Sequence, residues 1–221
     1  MDWQALILSV ELAAVTLLVL LPVGLWLGRW LANTGFAGKS WIEALVVLPL
    51  VLPPTVLGYY LLVSMGGASP FGAWFQEAFG VRLTFNFLGL LIASIVFNIP
   101  FLVQPVQRAF ESIPRQLVEA AAVSGLSAWQ TFWRIELPLA WPGVLSACVL
   151  TFVHTLGEFG VVLMVGGSIP GETKTIAISI YDRVQSFDLA GANQMALLLL
   201  LFSLGAVGAS FFASARLAVR R

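Results

Sequence analysis

Few residues in this sequence could do chemistry, and those few sit in apolar company. His154 and Glu158 lie four positions apart in the run 142–165, PGVLSACVLTFVHTLGEFGVVLMV. On one continuous helix that spacing puts both on one face. Ionisable groups at membrane depth face a bundle interior or a water-filled cavity and mark function by default. The other reading is a mutually satisfied structural pair, with Gly157 and Gly160 admitting a neighbouring helix. Both stay open. A bare carboxylate repels an anion, so for an anionic cargo Glu158 is expected to be a gate or packing element paired to a base, not a ligand. Asn98, in the run 85–106, is expected to bond a neighbouring helix or backbone freed by Pro100. Direct contact with a substrate is its second reading. With one histidine and a lone Cys148, the chain offers no Cys–His pair, no His-x-x-x-His and no disulfide framework. Cys148 is expected to be a small packing residue, and no metal site is expected. Nor is there a Gly-x-x-x-x-Gly-Lys-Ser/Thr phosphate loop, so ATP hydrolysis is not expected in this chain.

The elements that must position these residues follow from composition. Of 221 residues, 59% are hydrophobic and 10% charged, with zero net charge. Soluble domains carry about 25% charged residues, so the class is an all-α polytopic membrane protein, without the basic field that would suit nucleic acid. A span needs about 20 mostly apolar residues. Five stretches qualify, at about 4–27, 41–65, 85–106, 142–165 and 194–217. The first lacks a basic leader and is too long for a signal core, so it is expected to be a retained span. Glu11 and Pro22 lie within it. Loops 28–40 and 107–141 and the tail hold eight Lys and Arg residues, and the opposite loops hold three, Arg82, Lys174 and Arg183. The positive-inside rule then predicts an outside N-terminus and a cytoplasmic C-terminus. A sixth span over 171–193 would bury Glu172, Lys174, Asp182, Arg183 and Asp188, which lipid disfavours. The chain reads as one membrane domain, 1–221.

Within the second span, Ser40 and Glu43 have capping-box spacing, and Pro49, Pro53 and Pro54 predict a broken helix. Such a break is tolerated where it is buried in protein or lines a cavity, as in transporters; a kink used for packing is the plainer reading. Residues 73–79 predict a surface helix on the outer side. Ile176, Ile180 and Val184 give helical spacing over 175–184, expected to lie on or dip into the same side.

The longest stretch that does not read as membrane-buried is EAAAVSGLSAWQTFWRIELP, residues 119–138. Pro114 suits the first turn of a helix over 115–124, and Gly125 stops it. Ser127 and Gln130 have the spacing of a capping box for a second helix over 128–136, which Pro138 ends. The two short helices form a rigid L. The plain reading is a membrane-surface loop with its aromatics in the headgroups.

Glu119-Ala120-Ala121, then Gly125, then Ile135-x-Leu137-Pro138 resembles the EAA loop of permease subunits in prokaryotic ABC importers. Leu48–Gly58 (LPLVLPPTVLG), Leu156–Gly167 (LGEFGVVLMVGG) and Ile169–Thr175 (IPGETKT) are similar to the molybdate branch of the molybdate, sulfate and tungstate permeases. One departure is His154, where relatives often carry Arg, which makes a charge there depend on pH. The resemblance implies a type I importer fold in a prokaryotic inner membrane, with Glu119, Ala120, Ala121, Gly125, Ile135, Leu137 and Pro138 in a coupling helix docked on an ATP-binding subunit. In that setting Glu119 meets a base of the ATPase and Gly125 sets the turn. It further implies two ATP-binding cassette subunits, which use ATP and Mg, and an extracytoplasmic oxyanion-binding protein. This chain binds no cofactor. Its five spans are too few to enclose a path, so a homodimer is expected. Pro53, Pro54, Asn98, His154 and Glu158 are the candidate path or gate residues. Molybdate is the expected cargo, with sulfate or tungstate as alternatives. An ion-coupled secondary transporter would show inverted repeats, and an intramembrane hydrolase would need a dyad; the sequence presents neither.

Overall fold

The computed structural model describes residues 1–219; Arg220 and Arg221, two of the basic tail residues counted above, lie outside them. Among the described residues there are helices and turns and no strand. α1 (Trp3–Asn33) is 31 residues long, about 46 Å at 1.5 Å per residue. That exceeds a hydrocarbon core of about 30 Å. The excess brings Arg29 and Asn33 to the level of the 119–138 elbow, so the predicted span 4–27 is shorter than the helix. Asp2 caps α1 by accepting from the Ala5 amide at 3.1 Å. Burial works against the Asp2 carboxylate, but the Ala5 amide, the Ser179 hydroxyl and the charges of Lys174 and Arg183 hold its pKa below the usual carboxylate value.

α1 lies along α5 (Phe87–Glu111) with very small separation. A Cβ at Gly24 would sit 2.6 Å from Leu102, and one at Gly28 would sit 2.7 Å from Val106 and 3.0 Å from the Gln107 backbone nitrogen. This is small-xxx-small packing, which lets two spans approach where lipid supplies no hydrophobic drive. α8 (Leu137–Leu156) completes the group, and Leu20, Leu102, Val106, Phe110, Ala140, Val144 and Ala147 form their shared core. α11 (Leu189–Val219) flanks α8 and is largely exposed.

The second predicted span is two helices, α2 (Lys39–Val51) and α3 (Pro54–Met65), which meet at 105°. Each residue before a proline is pushed to extended backbone. Leu52 and Pro53 both obey, with ψ of 139° and 133°, and Pro54 starts α3 where its missing N–H costs nothing. Pro49, by contrast, lies inside α2. The expected Ser40 cap does not form: α2 starts at Lys39 with Gly38 as its cap. Glu43 accepts instead from Gln107 at 2.7 Å, so tertiary pairing overrides the local box.

The fourth predicted span, 142–165, is also revised. α8 stops at Leu156, residues 157–159 are not helical, and α9 (Gly160–Gly166) follows. At its other end the helix does not stop at Pro138. α7 (Ala128–Thr131) passes through a π-turn (Phe132–Glu136) into α8, giving one 29-residue helix. Proline lacks the amide for an i−4 bond, and the wider turn, closed by Leu137 N–H to Phe132 O, lets the chain pass. Four helices among the described residues are thus long and apolar enough to cross a membrane, and the bent pair makes up to five.

At the end remote from the elbow, α4 (Pro70–Phe79) is a short amphipathic helix with exposed Phe71, Trp74 and Phe79. α10 (Ile176–Gln185) is capped by Thr175. Its buried face is Ile176, Ile178 and Ser179, not the expected Ile176, Ile180 and Val184, and Val184 is exposed. The reason is a polar tie to α1: Ile176 N–H donates to Ser9 Oγ and the Ser179 hydroxyl to Asp2, each at 2.8 Å. Gly28→Leu is expected to lower thermal stability in detergent by about 1–3 kcal/mol through overpacking. Gly35→Leu, where a Cβ meets nothing within 4 Å, is the control that should not.

Candidate functional site

Two places gather the residues singled out by sequence. The first is a polar knot in the bundle. α5 places Ser94 and Asn98 one turn apart, both fully buried. The last turn of α8 supplies His154, and the break after it supplies Glu158, which is 3% exposed. His154 and Glu158 therefore do not share a helix face, because the helix has ended between them. They are joined through α5. Ser94 Oγ donates to Glu158 Oε2 at 2.8 Å, and Asn98 Nδ2 donates to the same oxygen at 3.2 Å and to the Ser94 carbonyl at 2.8 Å. With that amide nitrogen occupied, Asn98 Oδ1 faces His154 Nδ1 at 2.9 Å, so Nδ1 is the donor. The imidazole stacks on Phe101 with ring centres 3.6 Å apart. Glu158 thus finds no base; hydroxyl and amide donors hold it. Its Oε1 is buried without a hydrogen-bond partner among the described residues.

The two breaks touch. A Cβ on Gly160 would lie 2.9 Å from Pro54 Cβ, and one on Gly58 would lie 2.7 Å from Met164. α3 and α9 therefore pack as a pair, with Pro53 and Pro54 beside the 157–159 break. The outer face of α3, Thr55, Val56, Tyr59, Tyr60, Val63 and Ser64, is exposed. Of the five candidate path residues, Asn98, His154 and Glu158 are brought together. Pro53 and Pro54 form the opposite wall of the same break. Asn98 and Glu158 are sealed, whereas His154 is half-buried.

The second place is the elbow. α6 (Arg115–Val123) follows Pro114 and ends in a Schellman closure: Gly125 N–H bonds to Ala122 O at 3.0 Å and Leu126 N–H to Ala121 O at 3.1 Å. The φ of Gly125 is +79°, a left-handed value that glycine adopts without strain. The Ser127–Gln130 capping box forms reciprocally. The L is therefore one short helix set against the prolonged foot of α8. Between them runs a groove of about 540 Å³ whose lining includes Ala120, Ala121, Ile135 and Pro138. On the opposite side of α6, Glu119 and Arg115 line a cleft of about 260 Å³ floored by Phe110 and Glu136. Leu137 turns into the core. Leu117, Val123, Trp129 and Trp133 are exposed apolar side chains around the tip.

Sequence reasoning missed three features here: the π-turn, the Gly24-x-x-x-Gly28 contact and the pairing of Glu136 with Arg29. The glycine spacing was readable. The π-turn carried one signal, Pro138 placed where an uninterrupted helix needs an amide. Among the described residues no group of three or more His, Cys, Asp and Glu side chains converges as metal ligands would.

The model of binding-protein-dependent transport system inner membrane components matches residues 21–221. A molybdenum transport system permease protein of Azotobacter vinelandii is 47% identical over 202 residues, covering 91% of this chain and 89% of the relative. A sulfate transport system permease protein of Escherichia coli is 34% identical over 196 residues, covering 85% and 70%. In fold, the chain is similar to a solved bacterial alginate ABC transporter in complex with an alginate pentasaccharide-bound periplasmic protein. The TM-score is 0.77 at 20% identity, over 96% of this chain and 78% of that one. Asn98→Leu, which strips Glu158 and His154 of their shared partner, is expected to cost about 1–3 kcal/mol in detergent unfolding. Adding Glu158→Leu should recover part of that loss, the sign of coupling through one network.

Proposed function

The chain belongs to the family of binding-protein-dependent transport system inner membrane components, and from that footing we propose that it is the membrane-spanning permease subunit of an ATP-driven importer of molybdate. The observation that carries this reading is the elbow. Four residues of the sequence motif line one groove, and Glu119 stands on the other side of the helix that forms it. An exposed helix with a small-residue face, apolar flanks and a carboxylate suits docking by another protein better than immersion in headgroups. The molybdenum permease relative at 47% identity names the cargo.

In this reading Glu119, Ala120, Ala121, Gly125, Ile135, Leu137 and Pro138 seat one ATP-binding subunit. That partner holds ATP and Mg, and this chain binds no cofactor. Residues 1–221 form a single transmembrane domain. The elbow and C-terminus face the cytoplasm and the N-terminus faces outward, as the positive-inside count favours. The membrane is a prokaryotic inner membrane. Two copies of the chain close the path over two ATPases, and an external binding protein delivers the anion near α4 and α10. Pro53 and Pro54 let α3 and α9 stand as a discrete pair beside the break, so the pair can tilt relative to α2 and α8 without breaking a helix. Asn98 and Glu158 brace that break. His154 is partly buried with Nδ1 committed to Asn98, so Nε2 is its other ring nitrogen.

The chain should therefore drive ATP-dependent uptake of labelled molybdate when assembled with its ATPase and binding protein in vesicles. Competition by sulfate stronger than that by unlabelled molybdate would move the cargo to sulfate. Glu119→Lys and Gly125→Pro should each abolish uptake while leaving the chain in the membrane. Survival of both uptake and ATPase association in the two variants would end the coupling assignment.

A further inference from the structure

Arg29, near the elbow end of α1, pairs with Glu136 in the π-turn. Glu136 is 3% exposed. The Arg29 guanidinium also lies over the Phe132 ring, 5.2 Å from its centre, and Phe132 stacks on Phe110 of α5 at 6.3 Å. One cation thus clasps the foot of α8 through a carboxylate and an aromatic face, and the aromatic rests on α5. Other contacts of α1 near this end are apolar, Leu25 and Leu27 among them. They carry no charge, and the close approach of Gly24 and Gly28 seats α1 on α5. Among the described residues the other ion pairs at this end, Lys39–Glu43, Lys39–Glu111 and Arg108–Glu111, have carboxylates that are partly exposed, where that of Glu136 is buried, and they do not involve α1 or α8. Exposed pairs of that kind contribute little.

The Glu136 carboxylate is buried while the Arg29 side chain is about a third exposed; the best-attested use of an ion pair so placed is to fix the register of two elements. Here its place is informative. Glu136 lies between Ile135, which lines the docking groove, and Leu137, which enters the core. The π-turn is the single irregular turn between the elbow and the long helix, and it aims Glu136 at α1.

We propose that the Arg29–Glu136 pair is the positioning contact through which displacement of the elbow is passed to α1, so that α1 and α8 move as one body at this end. The proposal rests on the importer reading above. With the pair intact, a pull on α6 reaches α8 through the backbone and α1 through the clasp. With it broken, α8 moves and α1 lags, and ATP is hydrolysed without matching transport.

The test is the ratio of molybdate taken up to ATP hydrolysed, in vesicles holding the full complex. Glu136→Gln should lower that ratio about tenfold, within the range of coupling between contacting residues, while hydrolysis changes less than about twofold. The swap Arg29→Glu/Glu136→Arg should restore much of it. Because an arginine at a buried position can impair folding, a second arm uses Arg29→Cys/Glu136→Cys in a Cys148→Ser background. The ratio should be low with free thiols and recover when a short bismaleimide bridges them. A parental ratio in Glu136→Gln, no effect of bridging, or a fall only in the amount of assembled complex would each overturn the proposal. If the parent chain itself takes up no molybdate with ATP, the importer reading fails instead.

Discussion

Lipid offers no hydrogen-bond partner, and the rest of this structure depends on that constraint. Each place where a membrane helix is interrupted has to be closed by another part of the same protein. The chain interrupts two spans and sets the interruptions against each other, so that Pro54 packs on Gly160 and α3 on α9. It then runs the continuous helix α5 past the second break, where Ser94 and Asn98 supply the donors that Glu158 needs. A break made this way is closed on every side by protein groups.

The same economy appears at the other end of α8. The elbow is not a loop hung between two spans. It is the extended foot of a span, bent once at a wide turn and closed by a short helix that folds back against it. From α6 the chain passes a glycine corner, the wide turn and then regular helix into the core formed by Leu102, Val106 and Val144.

Much of this was legible in sequence where the signal is local. The apolar runs fall on the four long apolar helices and the bent pair, Gly125 marked the corner, and Ser127 with Gln130 marked the cap. The prolines announced the break at 52–54 because a proline constrains the residue before it whatever the tertiary context. What local signals could not decide was anything set by a distant partner. Ser40 and Glu43 had the spacing of a cap, but Gln107, 64 positions away, captured the glutamate. His154 and Glu158 had the spacing of a helical pair, but the helix ended between them, and Asn98 bridged them from α5. The apolar spacing over 175–184 marked α10 as a helix, but which of its residues are buried is set by Ser9 and Asp2 on α1. Hydrophobic periodicity cannot report a face chosen by hydrogen bonds.

The π-turn has a geometric consequence of its own. A turn of this class holds one residue more than an α-turn, so the helix beyond it is out of phase by about 100°. The outward direction at Trp129 and Trp133 is therefore not the outward direction along α8. Removing one residue between 132 and 136 would restore the ordinary winding and swing the elbow about a quarter-turn around the bundle. The azimuth at which the elbow leaves the bundle is set by that single surplus residue.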